Sequence, residues 1–317
     1  NVLDGPPAWL RDRLAGCLVD LASYPDDTAA REVLAARHGR TPDEIVPLAG
    51  AADGMWLLPR VLRPQLAACV HPGFAEPEAA LRHADVPIVH VQRRPNDWLL
   101  DPDEVPDDAD LVVLGRPDNP TGIVDPTATI AALCRPGRTV VVDEAFAEFL
   151  PDAAGIASRD DLAGVVTLRS YTKLWGLAGL RVGYLVARAD LATRLRAARQ
   201  PWAVDRLALE ALIALTGADD ERRRRAEAVA GARDHLLTGL RSIPQVTTWD
   251  AAANYVLLRT PQPDLRERLL DDGLAVRRCD NFPGLDRSYL RVAVRTPAIN
   301  DQLVDRIAHH LARRPAT

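Results

Sequence analysis

Lysine is almost absent from this sequence. Of its 39 basic residues, 38 are arginine and one is a lysine, Lys173. Arginine keeps its proton in proteins, whereas a buried lysine can lose it. Chemistry that needs a neutral side-chain amine, such as Schiff-base formation or proton abstraction, therefore has one candidate position. The alternative, a surface lysine left by chance, has to be weighed against its neighbourhood. Cysteine is scarce too: Cys17, Cys69, Cys134 and Cys279 are scattered and form no C-x-x-C pair. That spacing argues against a zinc cage or a disulfide framework, so no metal site is expected and a reducing cytoplasm is. There is no excess of positive charge. A net charge of −5 argues against a nucleic-acid partner. No apolar run reaches the roughly 18 residues that span a bilayer, so no membrane partner is expected. Residues 1–5 show neither the basic start nor the hydrophobic stretch of a signal peptide. Without an initiator Met, the natural chain is expected to begin upstream.

What is present has the balance of a soluble globular enzyme, with 47% apolar and 26% charged residues. Its 317 residues allow one large domain or two ordinary ones. Short apolar runs at 86–91, 111–114, 139–142, 165–168 and 182–187 read as strands. Several lack polar alternation, as strands buried on both faces of a parallel sheet do. Helical patterns at 52–62, 76–84 and 126–134 separate them. This alternation predicts an α/β domain. Further on, helices are expected at 191–198, 206–216 and 219–240. Then come a strand at 255–259, a helix at 264–272, strands at 275–278 and 288–294, and a helix at 300–313. This part reads as a smaller α+β unit. The arginine run 222–225 is flanked by Asp219, Asp220, Glu221 and Glu227, which fits a solvated helix face.

Four segments carry chemistry. Ser170-Tyr171-Thr172-Lys173, with Arg181 beyond it, follows an expected strand. It therefore lies at the carboxyl edge of the sheet, where open α/β sheets bind ligands. Two hydroxyls and a guanidinium can hold a phosphate beside the amine. Asp143 ends the apolar run Val140-Val141-Val142. A carboxylate buried there needs a cationic partner, such as a protonated pyridine nitrogen. An ordinary helix-capping Asp is the other reading. Asn119-Pro120-Thr121-Gly122 is a turn signal whose Asn could bond a phenolic oxygen. Gly50-Ala51-Ala52-Asp53-Gly54 opens a helix with small residues, which suits an anion at a helix N-terminus.

In order along the chain, these segments resemble the fold-type I pyridoxal-phosphate enzymes of the class I/II aminotransferase family. The subgroup they resemble includes histidinol-phosphate aminotransferase and threonine-phosphate decarboxylase. Asn1…Gly5-Pro6, Tyr24-Pro25-Asp26, Pro72-Gly73-Phe74 and Tyr289-Leu290-Arg291 extend the match over nearly the whole chain. The resemblance implies an α/β fold with a large pyridoxal-phosphate domain, 25–210, built on a mainly parallel sheet flanked by helices. A smaller α+β domain, 211–317, and an N-terminal segment, 1–24, complete it. It also implies roles. Lys173 would carry pyridoxal 5′-phosphate, Asp143 would face the pyridinium nitrogen, and Asn119 would bond the ring oxygen. Phe74 would stack on the ring. Ser170, Thr172, Arg181 and the amides of Ala51 and Ala52 would hold the phosphate. Tyr24 would reach the phosphate of a neighbouring subunit in a homodimer with shared active sites. Arg291, Arg277 and Asn254 would line the substrate side.

The sequence departs from the family at Phe146, where the aminotransferases usually carry tyrosine, and at Ala52, where they carry a polar residue. The upstream arm that closes the site in relatives is not in this sequence. The expected activity is transamination of a small phosphorylated amine of the histidinol-phosphate type in amino-acid biosynthesis, with glutamate and 2-oxoglutarate as the amino partners. Phe146 and the segment 277–286 instead resemble the O-phosphothreonine decarboxylase of cobalamin biosynthesis. A non-catalytic pyridoxal-phosphate protein is a third alternative. A nicotinamide dehydrogenase is disfavoured, because no G-x-G-x-x-G opens a helix after the first strand.

Overall fold

The computed structural model of the protein describes residues 5–152 and 155–312. Asn1 of the first motif and Arg313 of the last expected helix lie outside them. Helices α1 (Ala8–Gly16) and α2 (Thr28–His38) come first. Seven strands then form one sheet: β1 (Ile45–Ala49), β2 (Ala67–His71), β3 (Ile88–Gln92), β4 (Leu111–Gly115), β5 (Thr139–Glu144), β6 (Val165–Ser170) and β7 (Val182–Val186). Their spatial order is β1-β7-β6-β5-β4-β2-β3. Strands β3, β2, β4, β5 and β6 are mutually parallel, and β7 runs antiparallel between β6 and β1. Helices α3 (Ala51–Leu62), α4 (Glu76–His83), α5 (Thr127–Leu133), α6 (Ala189–Ala198) and α7 (Arg206–Thr216) pack around this sheet. This is the mainly parallel α/β sheet that the alternating pattern predicts.

The long helix α8 (Asp219–Arg241) leads to a second sheet. Its strands are β8 (Thr247–Thr248), β9 (Tyr255–Arg259), β10 (Arg277–Arg278) and β11 (Tyr289–Ala293), in the antiparallel order β10-β11-β9-β8. Helices α9 (Leu265–Asp271) and α10 (Pro297–Ala312) cover it, together with Leu236, Leu237 and Leu240 of α8. The expected division at 210/211 falls inside α7, whose buried face lies on the large-sheet core.

Two strands of the large sheet, and the two-residue β8 of the small one, were not legible in the sequence. Strand β1 contains Pro47, which cannot donate to a ladder, and it is tolerated because β1 is an edge strand. Strand β2 begins Ala67-Ala68-Cys69, residues with little strand preference, and it is fixed by burial between β3 and β4.

The parallel order brings the carboxyl ends of β4, β5 and β6 to one edge, with Gly115 beside Asp143 and Glu144 beside Arg169. Successive residues on a strand face opposite sides. Asp143 therefore faces one side of the sheet and Glu144 the other. Glu144 is fully buried and accepts from Arg169 Nη1 at 2.9 Å and from the Ile156 N–H at 2.9 Å. The second nitrogen, Arg169 Nη2, reaches Glu148 at 2.8 Å, which also faces Arg37 at 3.6 Å. Arg169→Met leaves two buried carboxylates without this cation. The expected loss is about 3–5 kcal/mol of unfolding free energy, read by urea denaturation. An unchanged midpoint would refute the structural role of the pair.

Candidate active site

Four loops at the carboxyl edge of the large sheet and one face of the small sheet enclose a cavity of about 310 Å³. It is lined by Phe74, Asn119, Asp143, Phe146, Lys173, Asn254, Tyr255, Arg277 and Arg291, together with Ala145, Ala275 and Ala293. Lys173 follows β6 in the turn that returns the chain to β7. Its Nζ lies 5.7 Å from the centre of the Phe146 ring. Burial lowers the Lys173 pKa and the charges of Arg291 and Arg181 add to this, while Asp143 opposes it. The amine is thus biased toward the neutral form that nucleophilic and basic chemistry needs.

Asp143 accepts the Ala145 N–H at 3.0 Å. Burial pushes its carboxyl up to about 6, against that hydrogen bond and the charge of Lys173. Asn119 is oriented by its neighbour. Arg291 donates to Asn119 Oδ1, and a guanidinium can only donate. The Asn119 amide nitrogen is then left to donate elsewhere. The Arg291 guanidinium lies 4.7 Å from the centre of the Tyr255 ring, and Tyr255 Oη donates to the Asp118 carbonyl at 2.6 Å. Tyr255 escaped the sequence reading, although it follows Asn254. Nothing in its apolar strand context marks it as a pocket residue.

An anion cradle adjoins the pocket. Gly50 caps the N-terminus of α3 with φ +85°, and a Cβ on it would sit 2.7 Å from Arg181 Nη2. Arg181 also has a positive φ, +57°, and its Nη1 donates to the Ala178 carbonyl at 3.0 Å. Gly183 pairs with Ser170 across β6 and β7, and a Cβ there would lie 2.7 Å from the Ala51 amide nitrogen. Only glycine lets the three backbones approach this closely. Ser170 Oγ and Thr172 Oγ1 are buried and 2.7 Å apart. The fold thus brings Gly50, Ala51, Ser170 and Arg181 around the first turn of α3, with Ala52 next in the helix. Tyr24 lies outside this cavity. It is 76% exposed and stacks on Trp202 with ring centres 4.3 Å apart.

These residues fit pyridoxal phosphate. The hydroxyls, the arginine and the first α3 amides suit a phosphate. The raised Asp143 carboxyl suits a cationic ring nitrogen, and the half-exposed Phe74 offers a ring face at the pocket wall.

The sequence model of the aminotransferase class I and II family matches residues 14–311. The chain belongs to this family. A histidinol-phosphate aminotransferase of Mycobacterium tuberculosis is 45% identical over 298 residues, spanning 92% of this chain and 81% of that protein. Threonine-phosphate decarboxylase of Salmonella typhimurium is 33% identical over 318 residues, with 95% and 86% covered. The crystal structure of histidinol-phosphate aminotransferase from Sinorhizobium meliloti in complex with pyridoxal-5′-phosphate superposes with a TM-score of 0.86 at 21% identity, covering 97% of this chain and 88% of that one. The fold is therefore that of the fold-type I pyridoxal-phosphate transferases, and the protein is a pyridoxal-phosphate-dependent aminotransferase-family enzyme. Among the described residues, no helix is long and apolar enough to cross a membrane.

The Asp143 environment sets a pH dependence. A carboxyl whose folded pKa is raised from 3.8 to about 6 favours folding at low pH and loses that contribution as pH rises through 6. Cofactor-free wild type is expected to lose up to about 3 kcal/mol relative to Asp143→Asn between pH 4 and 7. Urea melts of the two proteins check this, and parallel pH profiles would refute it. Bound cofactor, by placing a cation at Asp143, should flatten the difference.

Proposed function

We propose that the enzyme transaminates a small phosphorylated amine of the histidinol-phosphate type, with glutamate and 2-oxoglutarate as the amino partners. The observation that carries this reading is the pair of arginines, Arg277 and Arg291, that line one cavity with Lys173. A phosphorylated amino alcohol brings one anion and no carboxylate, whereas glutamate brings two carboxylates. One pocket has to accept both in turn. Arg291, partly buried and held by Asn119, suits a carboxylate near the reacting carbon. Arg277, beside Phe282 with its guanidinium 5.7 Å from the ring centre, is an exposed arginine suited to the second anion, phosphate or side-chain carboxylate.

Bound pyridoxal phosphate supplies an electron sink conjugated to the substrate nitrogen. The protein's part is to hold groups and move a proton. Asp143 would face the ring nitrogen and favour its protonated form. The Asn119 amide would donate to the ring oxygen, without help from residue 146 because Phe146 has no hydroxyl. Lys173 Nζ, in its neutral form, would take the substrate Cα proton and return it. Arg277 and Arg291 would hold the substrate's anionic groups, and that orientation would decide which bond to Cα breaks. The 45% identity to a histidinol-phosphate aminotransferase supports this assignment. Phe146 and the 33% identical decarboxylase favour a second reading, decarboxylation of O-phosphothreonine.

The test is a half-reaction. Histidinol phosphate added without a keto acid should convert the bound cofactor to its amine form, and 2-oxoglutarate should restore the original absorbance. Lys173→Ala should lose both the cofactor band and turnover. No conversion, with carbon dioxide released from O-phosphothreonine, would replace the first reading by the second. We further infer a homodimer in which Tyr24 reaches the partner's cofactor phosphate. The exposed Leu18, Val19, Leu21, Tyr24 and Trp202 support it. Sedimentation equilibrium should give twice the chain mass and a monomer would refute it.

A further inference from the structure

We propose that His71, Glu78 and His90 form a site for one divalent cation of the zinc type, next to the catalytic pocket. His71 ends β2, His90 lies in the adjacent parallel strand β3, and Glu78 projects from α4. One donor atom from each residue lies within 4.8 Å of the other two. His71 Nε2 is 2.9 Å from Glu78 Oε2, and His90 Nε2 is 2.9 Å from Glu78 Oε1. The two imidazole rings are 4.4 Å apart at their centres. Two imidazoles and a carboxylate form a donor set that zinc accepts, with a fourth position open to water.

Hydrogen bonding alone does not account for the cluster. His90 makes an aligned bond to Glu78. His71 does not: its ring is buried, yet neither nitrogen completes a hydrogen bond of acceptable geometry, despite the short distance to Oε2. A lone pair on Nε2 directed at a shared cation would satisfy that nitrogen. A cavity of about 20 Å³, lined by His71, Glu78 and Cys69 on one side and by Phe74, Asn119 and Asp143 of the catalytic pocket on the other, has room for about one water that could serve the rest of the ring.

The protonation states agree with this geometry. Burial biases the His71 imidazole toward its neutral form, against the charge of Glu78. Burial also opposes ionisation of Glu78, but His90, His71 and Arg82 outweigh it and hold the carboxyl below its ordinary range. Metal binding requires these two states, a neutral imidazole and an ionised carboxylate. Arg82 contacts Glu78 Oε1 and is the competing cation. Its side chain is 67% exposed, so it can turn into solvent when a metal enters past the half-exposed His90. A bound cation would tie β2, β3 and α4 together and brace the turn 72–75 that carries Phe74 to the catalytic pocket.

The test uses the holoenzyme after chelator treatment and titration with cobalt(II). The expected result is one equivalent of cobalt with a visible d–d band of tetrahedral intensity, displaced by zinc. The band should be lost in His90→Gln, while the pyridoxal-phosphate absorbance of that variant stays that of wild type. Glu78→Gln provides a second variant and should also lose the band. Absence of the band in folded wild type would overturn the proposal. So would a band retained at full strength in His90→Gln, which would place the metal elsewhere, for example at His309 and His310. None of these readouts depends on the substrate or on transamination.

Discussion

The salt bridge between Glu144 and Arg169 holds the reactive residues in place. The two residues face each other in the ladder between β5 and β6, with both side chains buried on the side of the sheet away from the cavity. A slip of one residue would bury Asp143 where Glu144 now stands and turn Glu144 toward the cavity. The ion pair makes that slip costly, because each group would lose its partner in a dry environment. With the register fixed, Asp143 and the turn after Ser170 come to the same edge. The spacing between Asp143 and the Lys173 amine is thus set by a pair that touches neither.

Much of this was legible in the sequence, for identifiable reasons. Strands β4 to β7 are short apolar runs buried on both faces, and such runs cannot be mistaken for solvated helix faces. Helices α7 and α8 show clear periodicity, and α7 spans Arg206–Thr216 as expected. The lone lysine stood out because arginine fills every other basic position. Asp143 stood out because a carboxylate at the end of Val140-Val141-Val142 demands a partner. What was not legible depends on pairing across the chain. Glu148 and Arg37 are far apart in sequence and meet only through the sheet and α2. His71 and His90 show no metal-ligand spacing, and parallel strand pairing alone brings them to one carboxylate. Arg291 was expected to line the pocket, but the ring of Tyr255 beneath it was not, because an aromatic in a strand reads as core.

The catalytic cavity is also a seam between the two sheets. Tyr255 Oη reaches Asp118, Arg291 reaches Asn119, and the Ala252 N–H donates to the Gly122 carbonyl at 2.8 Å. Gly122 has φ +76°, and a Cβ there would lie 2.6 Å from the Ala251 methyl, so the turn after Asn119 can pack this closely only with glycine. Lys173, Asp143 and Asn119 are carried by the large sheet and Arg277 and Arg291 by the small one, and the two sides of the cavity are joined through a few hydrogen bonds.

The single lysine has a consequence for the outside of the molecule. Its side-chain amine lines the cavity, so the described surface presents guanidinium groups and no lysine amine. Acetyl donors, aldehydes and other acylating metabolites that attack surface lysines find no such target there. An amine-directed reagent would have to enter the pocket, and cofactor joined to Lys173 would shield the amine from it.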